Sequence, residues 1–230
     1  MTQPLRIRYR FDLPDGSQKL LDLAFEDPDF RLANAAPADP PFWTELKFCQ
    51  CANCPLKVSE HPHCPAALHM VAAVESLKAL VSFDTVGVTV IQADRTIHAE
   101  ISAQQALSSV LGLIMATSGC PWTDRLRPMA RFHLPFANEA ETVYRSVCMF
   151  LLARELVGVD QTRGFATLEK LYENLHVVNR DMSRRLGAAT RTDPARNAMA
   201  LLDSYTTLLP LALESSLDDL KPLFDGWRST

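Results

Sequence analysis

Four of the six cysteines in this 230-residue chain lie between residues 49 and 64, and no other feature limits the fold as strongly. The segment reads Phe48-Cys49-Gln50-Cys51-Ala52-Asn53-Cys54-Pro55-Leu56 and continues to His61-Pro62-His63-Cys64-Pro65. In a reducing compartment such a cluster reads as metal ligands or redox groups rather than as a disulfide scaffold. Cys51-x2-Cys54 has the spacing of zinc knuckles and iron–sulfur sites, because one tight turn brings both sulfurs toward one point. Cys64 returns after a short loop. A tetrahedral structural site wants a fourth donor, and Cys49, His61, His63 and Cys120 are the candidates. Cys120 is preferred: Cys54, Cys64 and Cys120 each precede a proline, which imposes extended backbone and presents the side chain from a loop. The expected metal set is therefore Cys51, Cys54, Cys64 and Cys120, with Cys49, His61 and His63 in reserve. Zinc leads because the flanking histidines suit it and because structural zinc fixes irregular loops. An iron–sulfur cluster is the alternative cofactor. Cys148, among Val147, Phe150 and Leu151, is expected as a buried small hydrophobe.

Composition supplies the setting. With 47% hydrophobic residues the chain has enough apolar content for a core, which excludes disorder. A net charge of −4 argues against a broad grip on nucleic acid. The start, Met1 to Arg8, lacks the apolar run of a secretory signal. The longest apolar stretch, Val110 to Ala116, is too short for a membrane span. The expectation is a cytoplasmic chain with no membrane segment.

Residues 5 to 13 alternate, with Leu5, Ile7, Tyr9, Phe11 and Leu13 on one face and Arg6, Arg8, Arg10 and Asp12 on the other. Turn residues Pro14-Asp15-Gly16-Ser17 lead to a second alternating run through Leu21, Leu23 and Phe25, so a hairpin is predicted. Proline-rich residues 27–41 read as an irregular connector. Helical spacing follows Cys64-Pro65 as far as Val81, and a second hairpin is predicted at 86–91 and 96–101. An apolar helix spans 103–117 and stops at Ser118-Gly119. Further helices are predicted at 138–157, 164–186, 194–209 and 214–225. The fold class is thus α+β: two β-hairpins packed on a predominantly α-helical body, with a cysteine-rich metal-binding loop. Residues 1–64 form the hairpin and cysteine-rich part. Residues 65–230 form the helical part with its own hairpin at 85–102, the two making one compact unit.

A second constellation pairs Met115-Ala-Thr-Ser-Gly-Cys120-Pro121 with Arg131-Phe-His133-Leu-Pro-Phe-Ala137. If these loops meet, Thr117, Ser118, Cys120, His133 and Arg145 line one pocket, and Cys120 with His133 forms a candidate nucleophile–base pair. The bland reading makes His133 a capping or carbonyl-bonded residue and Glu141–Arg145 an i,i+4 surface pair. Arg180, Arg184, Arg185, Arg191 and Arg196 crowd one segment, read as a solvated helix end rather than an anion patch. Phosphate-binding Gly-rich loops and common hydrolase signatures are absent.

The ordered set Cys51-x2-Cys54-Pro-Leu, His63-Cys64-Pro, Met115-Ala-Thr-Ser-Gly-Cys-Pro121 and Arg131-Phe-His-Leu-Pro-Phe-Ala137 resembles a family of uncharacterised bacterial proteins, a domain of unknown function. The resemblance spans most of the chain. It implies a bacterial, cytoplasmic protein with a shared cysteine site, and no activity. The leading expectation is a metal-binding protein with a structural, regulatory or sensing role. The others are an iron–sulfur or thiol-dependent redox enzyme using Cys120 and His133, and a module that docks a protein partner around a structural metal.

Overall fold

The computed structural model describes residues 5–159, 164–189 and 192–227, with backbone alone over 214–219. Strand β1 (Leu5–Asp12) pairs antiparallel with β2 (Gln18–Phe25) in the register Leu5 opposite Phe25 to Asp12 opposite Gln18. Its alternation resolves as expected: Tyr9 and Phe11 are fully buried, while Arg6 donates from the outer face to Asp22 at 2.6 Å. That exposed ion pair contributes little, since solvent screens it. The turn closes with the Leu13 amide donating to Ser17, and Gly16 takes a φ of +81°, which costs glycine nothing.

Strands β3 (Thr85–Ile91) and β4 (Thr96–Ser102) form the second hairpin. The two hairpins are not separate. β1 also pairs antiparallel with β3, from Arg8 opposite Ile91 to Asp12 opposite Gly87, giving one four-stranded sheet in the order β2-β1-β3-β4. Period-two patterning tells which face a strand buries but not which neighbour takes each of its edges.

Helices α1 (Pro65–Ser76), α2 (Ala103–Thr117), α3 (Arg127–Arg131), α4 (Glu139–Val157), α5 (Ala166–Ala189) and α6 (Pro194–Leu220) make up the rest, so the chain is mixed α and β. Reciprocal capping boxes start α2 (Ser102 with Gln105) and α4 (Asn138 with Glu141). At the end of α2, Gly119 takes a φ of +85° and turns the chain toward Cys120. Two boundaries differ from expectation. α1 stops at Ser76 rather than near Val81, and the helices predicted at 194–209 and 214–225 are one helix that continues through Pro210. Tertiary packing holds this helix together where local propensity favours a break.

Ile7, Tyr9 and Phe11 from the sheet share one core with Leu107, Leu111 and Ile114 of α2 and with Val178, Met182 and Leu186 of α5. A smaller core joins α4, α5 and α6 through Val147, Phe150, Tyr172, Leu175 and Leu209. The expectation for Cys148 is overturned: it is exposed, on the same outward face of α4 as Tyr144, Leu151 and Leu152. Of the apolar neighbours that suggested burial, Val147 and Phe150 do face the core, but Leu151 is exposed and Cys148 shares its side of the helix. No helix among the described residues is long and apolar enough to cross a membrane.

Candidate metal centre

The Cys51–Cys54 segment is a tight turn. The Cys54 amide donates to the Cys51 carbonyl at 2.9 Å, which places both thiols on one side of the loop. Neighbouring elements clamp this turn. The Ala52 amide donates to Asp181 Oδ2 at 3.0 Å, Asn53 Nδ2 donates to the Asn174 carbonyl at 3.0 Å, and Trp122 Nε1 donates to the Asn53 carbonyl at 2.7 Å. Two residues of α5 and one from the segment after α2 therefore fix the knuckle.

Cys64 arrives from the other side. Its amide donates to the Thr44 carbonyl at 2.8 Å, and the Leu46 amide donates to the Pro62 carbonyl at 2.9 Å, so 44–46 and 62–64 form a short antiparallel bridge. Cys64 then stands at the N-terminus of α1, with Pro65 as first helical residue. The amides of Ala66 and Ala67 act on its sulfur and pull its pKa down. In the neutral thiol they fall short of a formed cap bond, because neutral sulfur is a weak acceptor and a thiolate a stronger one. Cys120 completes the group, turned out of α2 by Gly119, its amide 3.4 Å from Ser118 Oγ.

The electrostatics place these thiols in one another's field. Burial is the main cause that pushes Cys51 up to about 12, and the charges of Cys64, Cys120, Asp181 and Cys54 push in the same direction. Cys64 is also raised, chiefly by burial, while Arg185 works against the shift and Cys120 adds to it. The structure thus gathers Cys51, Cys54, Cys64 and Cys120 around one region. Among the described residues, no three His, Cys, Asp or Glu side chains stand in ligating geometry.

The reserve residues lie apart from this field. Cys49 is exposed with a φ of +46°, His61 is exposed, and the His63 ring is engaged by Thr44 Oγ1 at 2.9 Å.

Arg185 is the residue that the sequence reading misplaced. It is 1% exposed, and its Nη1 donates to the carbonyls of Trp43 at 2.6 Å and Glu45 at 2.7 Å. Nη2 reaches Leu46 at 3.4 Å. No carboxylate lies within ion-pair distance of it among the described residues, and its Nε is buried without a partner. Arg180 and Arg184 both donate to Asp181, which is buried under the cysteine loop. Of this stretch only Arg185 departs from the solvated helix end that was expected; Arg180, Arg184 and Arg196 are exposed, and Arg191 lies outside the described residues. Amphipathic periodicity did show the buried stripe of α5, but a charged residue on that stripe is legible only once its partner loop is known.

The second constellation divides. His133 and Arg145 line a cavity between α2, α4, α5 and α6, whereas Thr117, Ser118 and Cys120 do not. His133 Nε2 and the buried Tyr9 hydroxyl share a hydrogen bond of 2.5 Å, and Tyr9 is bonded in turn to Ser109 at 2.9 Å. Burial first, and the Arg145 charge second, push His133 down to about 3, so the ring is neutral. Arg145 does not form the expected surface pair with Glu141. Its Nη2 donates to the carbonyls of Met129 at 2.7 Å and Phe132 at 3.0 Å, and Glu141 is occupied as a cap.

These features define a mixed α and β protein in which a cysteine-bearing loop is clamped across an antiparallel sheet's helical layer. The chain belongs to the DUF6901 family, a domain of unknown function, which matches residues 7–225. This agrees with the family-level resemblance read from the motifs. No match to a curated protein or to a solved structure was found.

Two outcomes follow from this geometry. Arg185→Met leaves three carbonyls without their donor and lowers the urea-derived unfolding free energy by at least about 3 kcal/mol, with Arg185→Lys intermediate. For His133, the unfolded ring titrates near 6.5 and the folded ring near 3. The unfolded chain alone takes up the proton in that window. Stability is therefore full above about pH 6.5 and falls by at most about 1.4 kcal/mol per pH unit below it. His133→Gln flattens this slope in the same urea titration.

Proposed function

We propose that Cys51, Cys54, Cys64 and Cys120 hold one metal ion, zinc first, in a reducing cytoplasmic setting. The observation that carries this reading is the shared field of the four thiols above a buried, carboxylate-free Arg185. A zinc ion with four thiolates carries a net charge of about −2, and an unpaired guanidinium beside it offsets part of that charge. Without such a centre Arg185 is a buried cation facing three carbonyl dipoles and the Phe48 ring with no anion to offset its charge, an unfavourable arrangement. The Ala66 and Ala67 amides at Cys64 and the tight turn at Cys51–Cys54 suit thiolate ligation in the same way.

The raised thiol pKa values do not oppose this. A bound cation stabilises the thiolate directly, so binding releases protons and strengthens as pH rises. Gathering an ion requires these side chains to move from the positions they occupy here. The bound zinc would supply a fixed cross-link among three chain segments. That role is structural first: it ties the Cys51–Cys54 turn and the start of α1 to the end of α2. A regulatory or sensing role follows if the ion is exchangeable.

An iron–sulfur cluster on the same four cysteines is the second reading, favoured by the amides directed at Cys64. A thiol enzyme built on Cys120 and His133 has less support, since Cys120 stands with the cysteines and the His133 ring is tied to Tyr9.

Anaerobic purification, elemental analysis and a visible spectrum test the proposal. The expected result is a colourless protein with about one zinc per chain. Cys51→Ser and Cys120→Ser lose the metal, while Cys49→Ser and Cys148→Ser retain it. A brown protein with iron and labile sulfide moves the assignment to the cluster. Unchanged zinc in Cys51→Ser overturns the centre itself.

A further inference from the structure

A cavity of about 320 Å³ lies between α2, α4, α5 and α6, away from the four cysteines, none of which lines it. Its wall is largely apolar, with Leu113, Phe136, Leu175 and Leu202 among the lining residues. The volume is at the lower end of small-molecule pockets. Gln105 on its wall is exposed, so the cavity reaches the surface.

Arg145, Asn179 and Tyr205 on this wall keep hydrogen-bonding capacity that the described residues do not use. Arg145 is half-buried, and burial lowers its pKa. Its Nη2 is held by the Met129 and Phe132 carbonyls, while Nη1 and Nε make no hydrogen bond to the described residues; the Glu141 charge acts on it, but Glu141 caps α4 and forms no ion pair with it. Asn179 on α5 is 5% exposed, lines the same cavity, and makes no side-chain hydrogen bond to the described residues. Its amide borders the cavity space, where a bound ligand can engage it.

Arg145 and Asn179 occupy opposite ends. Tyr172, Leu175 and Asn179 of α5 all face the cavity. The Tyr172 hydroxyl is bonded at 2.5 Å to Ser146, the residue after Arg145 on α4, which sets Arg145 near that end. Asn179 stands two helical turns further along, about 10 Å away. Leu175 lies between them.

We infer that the cavity binds an elongated monocarboxylate with an apolar body and a hydrogen-bonding group at its far end. One guanidinium matches one carboxylate. The neighbouring His133 ring is neutral and adds no second cation for a dianionic phosphate. Leu113, Leu175 and Leu202 take the hydrocarbon, and Asn179 takes the distal hydroxyl or amide.

Decanoate, 1-decanol and 10-hydroxydecanoate test this by calorimetric titration below their micelle concentrations. The unaltered protein binds decanoate at least about tenfold more tightly than 1-decanol, and 10-hydroxydecanoate more tightly still. Arg145→Met abolishes the preference for decanoate over 1-decanol. Asn179→Leu keeps decanoate binding and removes the gain from the terminal hydroxyl. Equal affinity of the unaltered protein for decanoate and 1-decanol, or binding of neither, overturns the inference. That comparison requires no variant, so it stands even if Arg145→Met fails to fold.

Discussion

The candidate site depends on one buried guanidinium. Arg185 is anchored in α5, yet its hydrogen bonds go to the carbonyls of Trp43, Glu45 and Leu46, which are some 140 positions earlier in the chain. Those carbonyls belong to a loop with almost no regular structure, whose polar backbone needs partners if it is to lie against a core. Arg185 supplies them. Once it does, the 44–46 and 62–64 segments can bridge, Cys64 can start α1, and the knuckle at Cys51 can dock on Asp181 and Asn174. The loop's position is thus set by α5, an element far away in sequence.

The charge on Arg185 has a second consequence. A guanidinium in a core calls for a compensating negative charge, and the described carboxylates do not provide it. Asp181 is nearby but serves Arg180, Arg184 and the Ala52 amide. The thiols are the remaining groups in reach that can become anions. Their burial resists ionisation, as the raised Cys51 and Cys64 values show. In the proposed centre, ion and thiolates would stabilise each other, which would answer both the buried cation and the buried thiols.

Much of the framework was legible in the sequence because it follows from local rules. Alternation in residues 5–13 and 18–25, the stop at Ser118-Gly119, and the stripe from Leu168 to Leu186 all depend on periods of 2 or 3.6 residues and on turn chemistry. The cysteine grouping was legible for a similar reason, since proline after Cys54, Cys64 and Cys120 constrains each backbone locally. Long-range choices were not. Nothing within β1 or β3 says that they pair, and nothing around Cys148 says that its side of α4 faces outward. Arg185 and Asn179 look like ordinary surface residues of a helix; their burial depends on elements tens of residues away. Pro210 shows the opposite case, a local helix-breaking signal that α6 runs through.

X-ray absorption at the zinc edge on the anaerobically purified chain reads the ligand set of the proposed centre. Four sulfur scatterers at about 2.3 Å, with no nitrogen or oxygen in the first shell, is the result that four cysteines around one ion predict. A first shell containing light scatterers would contradict it, because a histidine or solvent would then stand where Cys120 is placed.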